Sequence, residues 1–397
     1  MINLNKLIIL STALLLFIPV LLHIRLSSTA HSATIERNPA DQDIIKGIEL
    51  LYEWEFNQAE AIFGKIIKER PKDPIGYFYL SMVTWSQLAS GFWSPEVVKQ
   101  YLDRTEQTIS IAKKKIQYGQ ADSSTYFFLG GALGFKGRLQ LMQEKWLSSY
   151  FLAAEAIEAL NTCLEMDPNN KDVLFGLGIY DYYTDQLSGV LRILSYLFLN
   201  REDKNEGLRK LHIAAEEAPY SSIEAKSNLI HIYLFIESDI NKAAILAEEL
   251  ANRFQNNPRY RFLLGVTYIR LDRQNEYKKT IKYFLEKAET DTSFMSAIYK
   301  ARAFHLEAVK YLFDGQFTEA RNKLNEVLTM ADPSLDPTMA VWPMLKIGMS
   351  YDIEGNRQKA MDYYNRIIGL KNGAGAQFLA EKYLKEPPDK EDPFLGY

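Results

Sequence analysis

Cysteine is nearly absent: Cys163 stands alone in a chain of 397 residues. No disulfide can close within the chain, and no thiolate metal site can be built from one sulfur. Histidine is scarce too. His23, His31, His212, His231 and His305 are the five present, and none pairs with another histidine or a carboxylate at a metal-ligand spacing such as H-E-x-x-H. A basic excess is also missing. The net charge is −4, or −6 once Lys6 and Arg25 of the first thirty residues are set aside, which argues against a nucleic-acid surface. The triple-lysine run 113–115 sits between Ile111 and Ile116 in a helical pattern and reads as a solvated helix face. Alternating apolar and polar residues, the mark of strands, are not found after residue 43. The glycine-rich stretch around Gly130, Gly131, Gly134 and Gly137 lacks the Lys-Ser/Thr ending of a phosphate loop and follows no strand. Neighbours such as Glu216 and Glu217 point in different directions on a helix and form no acid/base pair. The sequence therefore shows no catalytic constellation, no metal site and no cofactor motif, and the chain reads as a non-enzyme.

What is present is apolar and aromatic material: 47% of residues are hydrophobic, with 24 Tyr and 21 Phe. The uncharged run 7–22, LIILSTALLLFIPVLL, follows Lys6 and is followed by Ser28-Thr29-Ala30. A basic start, an apolar middle and small residues are the order of a secretory signal peptide. Pro19 within the run and Arg25 close behind it leave an uncleaved membrane anchor open. The expected location is export, either periplasmic or anchored facing the periplasm. No cysteine lies near the end of the run, so attachment of the bacterial lipoprotein type is excluded. The expected organisation is a signal peptide or anchor over 1–30, a polar linker over 31–42, a helical array over 43–385 and a frayed acidic tail over 386–397.

From residue 43 onward apolar residues recur at three- and four-residue spacing, and prolines fall between the helical segments. Asp73-Pro74, Asp167-Pro168, Asn257-Pro258 and Asp332-Pro333 read as helix starts, each with a capping side chain and a preset φ. The segments superimpose on one another. Leu264-Gly265-x2-Tyr268 matches Ile347-Gly348-x2-Tyr351, and Leu177-Gly178 and Leu129-Gly130 share the pair. In the second segments, Ala320-x3-Leu324 follows Gly315-x-Phe317, and Ala360-x3-Tyr364 follows Gly355. Ala59-x3-Phe63 ends at Pro71, Ala156-x3-Leu160 at Pro168, and Gly207-x3-Leu211 at Pro219.

These positions resemble the tetratricopeptide repeat, whose 34-residue signature is an aromatic, Leu-Gly and Tyr, then Ala, an aromatic and Pro. The resemblance spans about eight helix pairs and is clearest from Pro258, Ala301 and Val341 onward. It implies an all-α fold: an α-solenoid, or superhelix, of antiparallel helix pairs. Small residues such as Gly178, Gly265, Gly348, Ala320 and Ala360 are expected where helices cross closely, and Phe63, Tyr268, Tyr311, Tyr351 and Tyr364 in the gaps between them. Cys163 takes the place of a small buried residue and reads as a packing thiol. The stretch 186–199, whose single charge is Arg192, interrupts the repeat as an extra apolar helix, either a plug or a surface for a membrane or partner.

The resemblance also implies where a partner binds. First helices line the concave surface, and ligands meet their second, fifth, ninth, twelfth and thirteenth positions. This marks Phe262, Val266 and Arg270 in one copy and His305, Val309 and Phe313 in the next as partner-binding residues. The Lys and Asn of the members that clamp a carboxylate are missing here. The expected function is a non-catalytic scaffold of the bacterial envelope that binds a protein or peptide partner. The alternative is a solenoid holding a hydrophobic small molecule or lipid in an aromatic cavity helped by 186–199. A third account keeps the wall residues packed against one another in a closed superhelix. Membrane contact through the N-terminal segment is left open, and no nucleic-acid partner is expected.

Overall fold

The computed structural model describes residues 42–90, 93–143, 145–184, 203–293, 295–332, 336–370 and 374–396. The leader 1–30, the linker up to residue 41 and the insert 186–199 lie outside the described residues.

Among the described residues are seventeen α-helices and no strand. They run as eight antiparallel pairs and a final single helix. The first pair is α1 (Gln42–Tyr52) and α2 (Phe56–Glu69), the second α3 (Pro74–Ala89) and α4 (Pro95–Gln117). Then come α5 (Ser123–Met142) with α6 (Trp146–Met166), and α7 (Val173–Thr184) with α8 (Lys204–Glu217). The second half holds α9 (Ser222–Phe235) with α10 (Ile240–Arg253), and α11 (Pro258–Arg270) with α12 (Gln274–Thr290). It continues with α13 (Met295–Phe313) and α14 (Phe317–Met330), then α15 (Pro337–Ile353) and α16 (Arg357–Ile368). Helix α17 (Ala376–Lys385) caps the array, and a 3-10 turn, Pro393–Gly396, follows it. Each helix packs chiefly on its sequence neighbours, which makes this an all-α solenoid of the tetratricopeptide type.

The local signals explain most helix starts. Asp73 accepts a hydrogen bond from the Ile75 amide at 3.1 Å, and Asn257 accepts from Arg259 at 3.0 Å. Pro74 and Pro258 occupy the first turn, where a missing N–H costs nothing. Two starts differ from the expectation. Asp167-Pro168 opens a turn, and α7 begins only at Val173. Helix α15 is capped by Asp336, which accepts from Met339 at 3.1 Å, so Asp336-Pro337 and not Asp332-Pro333 is the start. One proline, Pro343, lies inside that helix, against the expectation that prolines fall only between helices.

The crossings follow the small residues. Ala320 and Ala360 are fully buried, and a Cβ on Gly348 would stand 2.7 Å from the ring of Tyr364. Phe63 and Tyr364 fill gaps completely, whereas Tyr268 and Tyr351 are half-buried under the guanidinium groups of Arg273 and Arg321. Cys163 is fully buried, and burial pushes its thiol pKa up to about 12, which keeps it protonated and inert.

The array also closes on itself. Tyr52 at the end of α1 stacks on Tyr260 of α11, and its hydroxyl donates to buried Glu224 of α9 at 2.9 Å. The Asn257 amide donates to the Tyr52 carbonyl at 2.8 Å, so one side chain caps α11 and tethers α1. Arg302 of α13 donates to the Ser90 carbonyl after α3 at 3.1 Å, and Trp146 of α6 meets Phe378 of α17 edge-on at 5.5 Å. The first three pairs are thus in contact with helices far along the chain. No helix among the described residues is long and apolar enough to cross a membrane.

Candidate functional site

The first helices of the last four pairs, α9, α11, α13 and α15, stand side by side and offer their inner faces to one strip. The repeat register places the six expected wall residues there, and all six are found on α11 and α13. Phe262 and His305 meet across the two helices edge to face, with ring centroids 5.5 Å apart, and both are buried. Val266 and Val309 are fully buried. Arg270 is half-buried and donates to the Leu234 carbonyl of α9; burial lowers its pKa. Phe313 is half-buried. The residues are therefore brought together, but they face the chain's own atoms.

What covers them comes from the end of α3 and from the C-terminal turn. The upper part of the wall, around Arg302, meets the end of α3. The lower part meets the C-terminal turn. Phe394 stacks on Phe235 of α9 with centroids 5.7 Å apart and planes 15° from parallel. Leu395 is fully buried, and Gly396 packs on Phe313 and Val266 so closely that a Cβ there would lie 3.2 Å and 3.4 Å from them. The tail expected to be frayed and acidic instead folds back: Asp389 and Asp392 make local turns through the amides of Glu391 and Phe394, both at 2.9 Å. The apolar residues behind those turns have somewhere to go.

One residue of the strip was not expected. Lys346 lies in the middle of the apolar helix α15, fully buried, and its Nζ donates to the carbonyls of Phe394 at 3.0 Å and Leu395 at 3.1 Å. Its signal in the sequence was a single charge inside the run from Val341 to Met349. Burial pulls its pKa down to about 7, against the attraction of Asp392, which raises it. The unfolded chain keeps this lysine protonated up to its ordinary value of 10.5. Above pH 7 the unfolded state thus binds more protons than the folded one, and stability rises with pH. Above about pH 8.5 the buried Cys163 and the tyrosines, whose folded pKa values are raised, begin to act in the opposite sense. Between about pH 7 and pH 8.5 unfolding free energy should climb by up to roughly 2 kcal/mol. Chemical denaturation of wild type and Lys346→Met at the two pH values checks this. An identical slope in both chains would assign the effect to another group.

Among the described residues no cluster of three or more His, Cys, Asp and Glu is placed to hold a metal. His231 is half-buried beside the Ser227 carbonyl at 2.8 Å, and the loss of solvent around its ring pulls its pKa down to about 3, so it remains neutral. A narrow pocket between α1, α3, α9 and α11 is lined by Tyr52, Trp85, Glu224, Arg259 and Tyr260. A wider, open depression lies over α4, lined by Glu96, Lys99, Asp103 and Arg104.

A solenoid of helix pairs whose inner wall is covered by the end of α3 and by the C-terminal turn is the class of protein this geometry defines. A family model of the tetratricopeptide repeat matches residues 344–373, covering the second half of α15 and all of α16. The chain therefore carries a tetratricopeptide repeat, a repeat of interaction scaffolds that typically have no catalytic role. Among curated proteins nothing matches the chain.

Proposed function

We propose that the protein is a non-catalytic scaffold of the bacterial envelope that holds a segment of a partner protein against the wall formed by Phe262, Val266, Arg270, His305, Val309 and Phe313. The observation that carries this reading is the occupant already present. A short piece of polypeptide lies on that strip, with two of its main-chain carbonyls held by Lys346. A wall that takes backbone carbonyls and an aromatic side chain is suited to a peptide. A lipid tail offers no such acceptors, and for that reason the small-molecule reading is set second.

Export rests on the sequence: Lys6, the apolar run 7–22 and Ser28-Thr29-Ala30. Fusion of residues 1–40 to a reporter active only outside the cytoplasm should give a signal, and a silent but fully expressed fusion would remove the envelope assignment. The wall itself is tested by a photo-crosslinking residue at Arg270, with Lys282 on the outer side of α12 as the comparison. Crosslinked protein should form from position 270 and not from 282. Products from 282 alone would place binding on the outer helices, and recovered lipid in place of protein at 270 would favour the second reading.

A further inference from the structure

The C-terminal turn crosses all four first helices of the second half. Phe394 stacks on Phe235 of α9, Gly396 touches Val266 of α11 and Phe313 of α13, and Lys346 of α15 donates to the Phe394 and Leu395 carbonyls. The recognition is of two kinds. Lys346 reads main chain, which any sequence supplies. The side-chain contacts read a pattern: a flat aromatic for Phe235, an aliphatic residue for the buried Leu395 position, then a residue without a Cβ where Phe313 and Val266 close in. The segment's own amides are satisfied locally, since Phe394 donates to the Asp392 side chain at 2.9 Å and Leu395 to the Asp392 carbonyl at 3.0 Å. It carries its turn with it and needs no helix ladder from the wall.

We propose that this strip is a peptide site of defined specificity, aromatic–leucine–glycine behind an aspartate-proline turn, and that the chain's own tail is its resident occupant. A partner segment of the same chemistry gains access by displacing residues 393–396. The proposal rests on the scaffold reading and adds to it the pattern of the ligand and a competition that sets its apparent affinity. An attached tail competes at an effective concentration on the order of millimolar, so an outside peptide binds the intact chain only weakly.

The test uses a fluorescent peptide with the sequence of residues 389–397, DKEDPFLGY, titrated into two full-length proteins. One is wild type; the other carries Phe394→Ala and Leu395→Ala, which weaken the resident tail. Binding to the double variant should be at least tenfold tighter than to wild type, and the same peptide with aspartate in place of its phenylalanine should not bind. A folded double variant that gains nothing for the peptide overturns the proposal. So does a wild-type dimer that the double variant converts to monomer, because the occupant would then be the tail of a second copy. Hydrogen exchange on wild type covers the case of a variant that fails to fold. Amides of residues 394–396 should exchange at least a hundredfold faster than those of Leu345 and Ile347 in α15. Exchange at the same rate would make the tail a permanent part of the core and sink the idea. Crosslinking from position 270 separates the two levels: a partner caught there without any peptide binding leaves the scaffold reading standing and removes only this inference.

Discussion

Replacing Gly207 by alanine should destabilise the protein by about 3 kcal/mol, at the upper end of what overpacking costs. At this crossing α7 and α8 touch backbone to backbone. A Cβ on Gly207 would lie 2.6 Å from the Tyr182 nitrogen and 2.9 Å from its Cα, and one on Gly178 would lie 3.0 Å from the Gly207 carbonyl. Neither obstacle is a side chain that can rotate away, so relief requires the helix axes to part. Parting is resisted. Lys210 of α8 is paired with Asp181 of α7 at 2.8 Å, both nearly buried, and Tyr182 is tied to Glu237 through its hydroxyl. The intrinsic preference of a helix for alanine over glycine works in the other direction and is only about 1 kcal/mol. Gly134 in α5 supplies the control, because nothing stands within 4 Å of a Cβ placed there and the residue is exposed. Gly134→Ala should be neutral or stabilising by up to about 1 kcal/mol. Urea unfolding of the two variants decides the matter: equal effects would mean that the crossing at residue 207 is looser than described.

Asp172→Ala should cost about 3 kcal/mol or more, for a different reason. The carboxylate is buried in the turn before α7 and accepts three hydrogen bonds from the start of α9: the Tyr220 amide at 2.9 Å, the Ser221 amide at 2.7 Å and the Ser221 hydroxyl at 3.0 Å. The turn before one first helix is thereby fastened to the beginning of the next. Alanine leaves two main-chain donors in a closed space without an acceptor. Each hydrogen bond to a charged acceptor is worth about 1.5–3 kcal/mol, and each buried donor left unsatisfied costs about 1–3 kcal/mol. The Asp172→Asn variant keeps one acceptor oxygen and should lose less than half as much. Thermal melts in which the asparagine and alanine variants are equally harmed would show that charge, and not the acceptor at Oδ1, is what this turn requires.

Asp172 illustrates how far the repeat register reached. Counted from Lys171, it falls at the second position of a first helix, one of those that the resemblance gives to ligands. Its actual partners are two amides and a hydroxyl 48 and 49 residues further along the chain. The position within the repeat was legible, but the contact was not, because a carboxylate at a helix start serves a neighbouring turn as readily as a ligand. Lys346 shows the reverse case. A lone lysine in an apolar helix reads as an oddity, and only the arrival of residues 394 and 395 gives it acceptors. The apolar Phe394-Leu395 pair within an acidic tail was the other half of that signal, and neither half points to the other across 48 residues.

The sequence by itself determined the helix pairs, the crossings and the all-α solenoid. These depend on interactions between neighbours in the chain: capping side chains, three- and four-residue periodicity, and small residues where consecutive helices touch. Tertiary structure alone decided how tightly the solenoid winds, and with it whether the wall is open. Winding is the sum of small rotations between successive pairs, and no local pattern encodes that sum. Here it brings Tyr52 onto Tyr260, Arg302 onto Ser90 and Phe394 onto Phe235, so that residues expected to wait for a partner are covered by other parts of the chain.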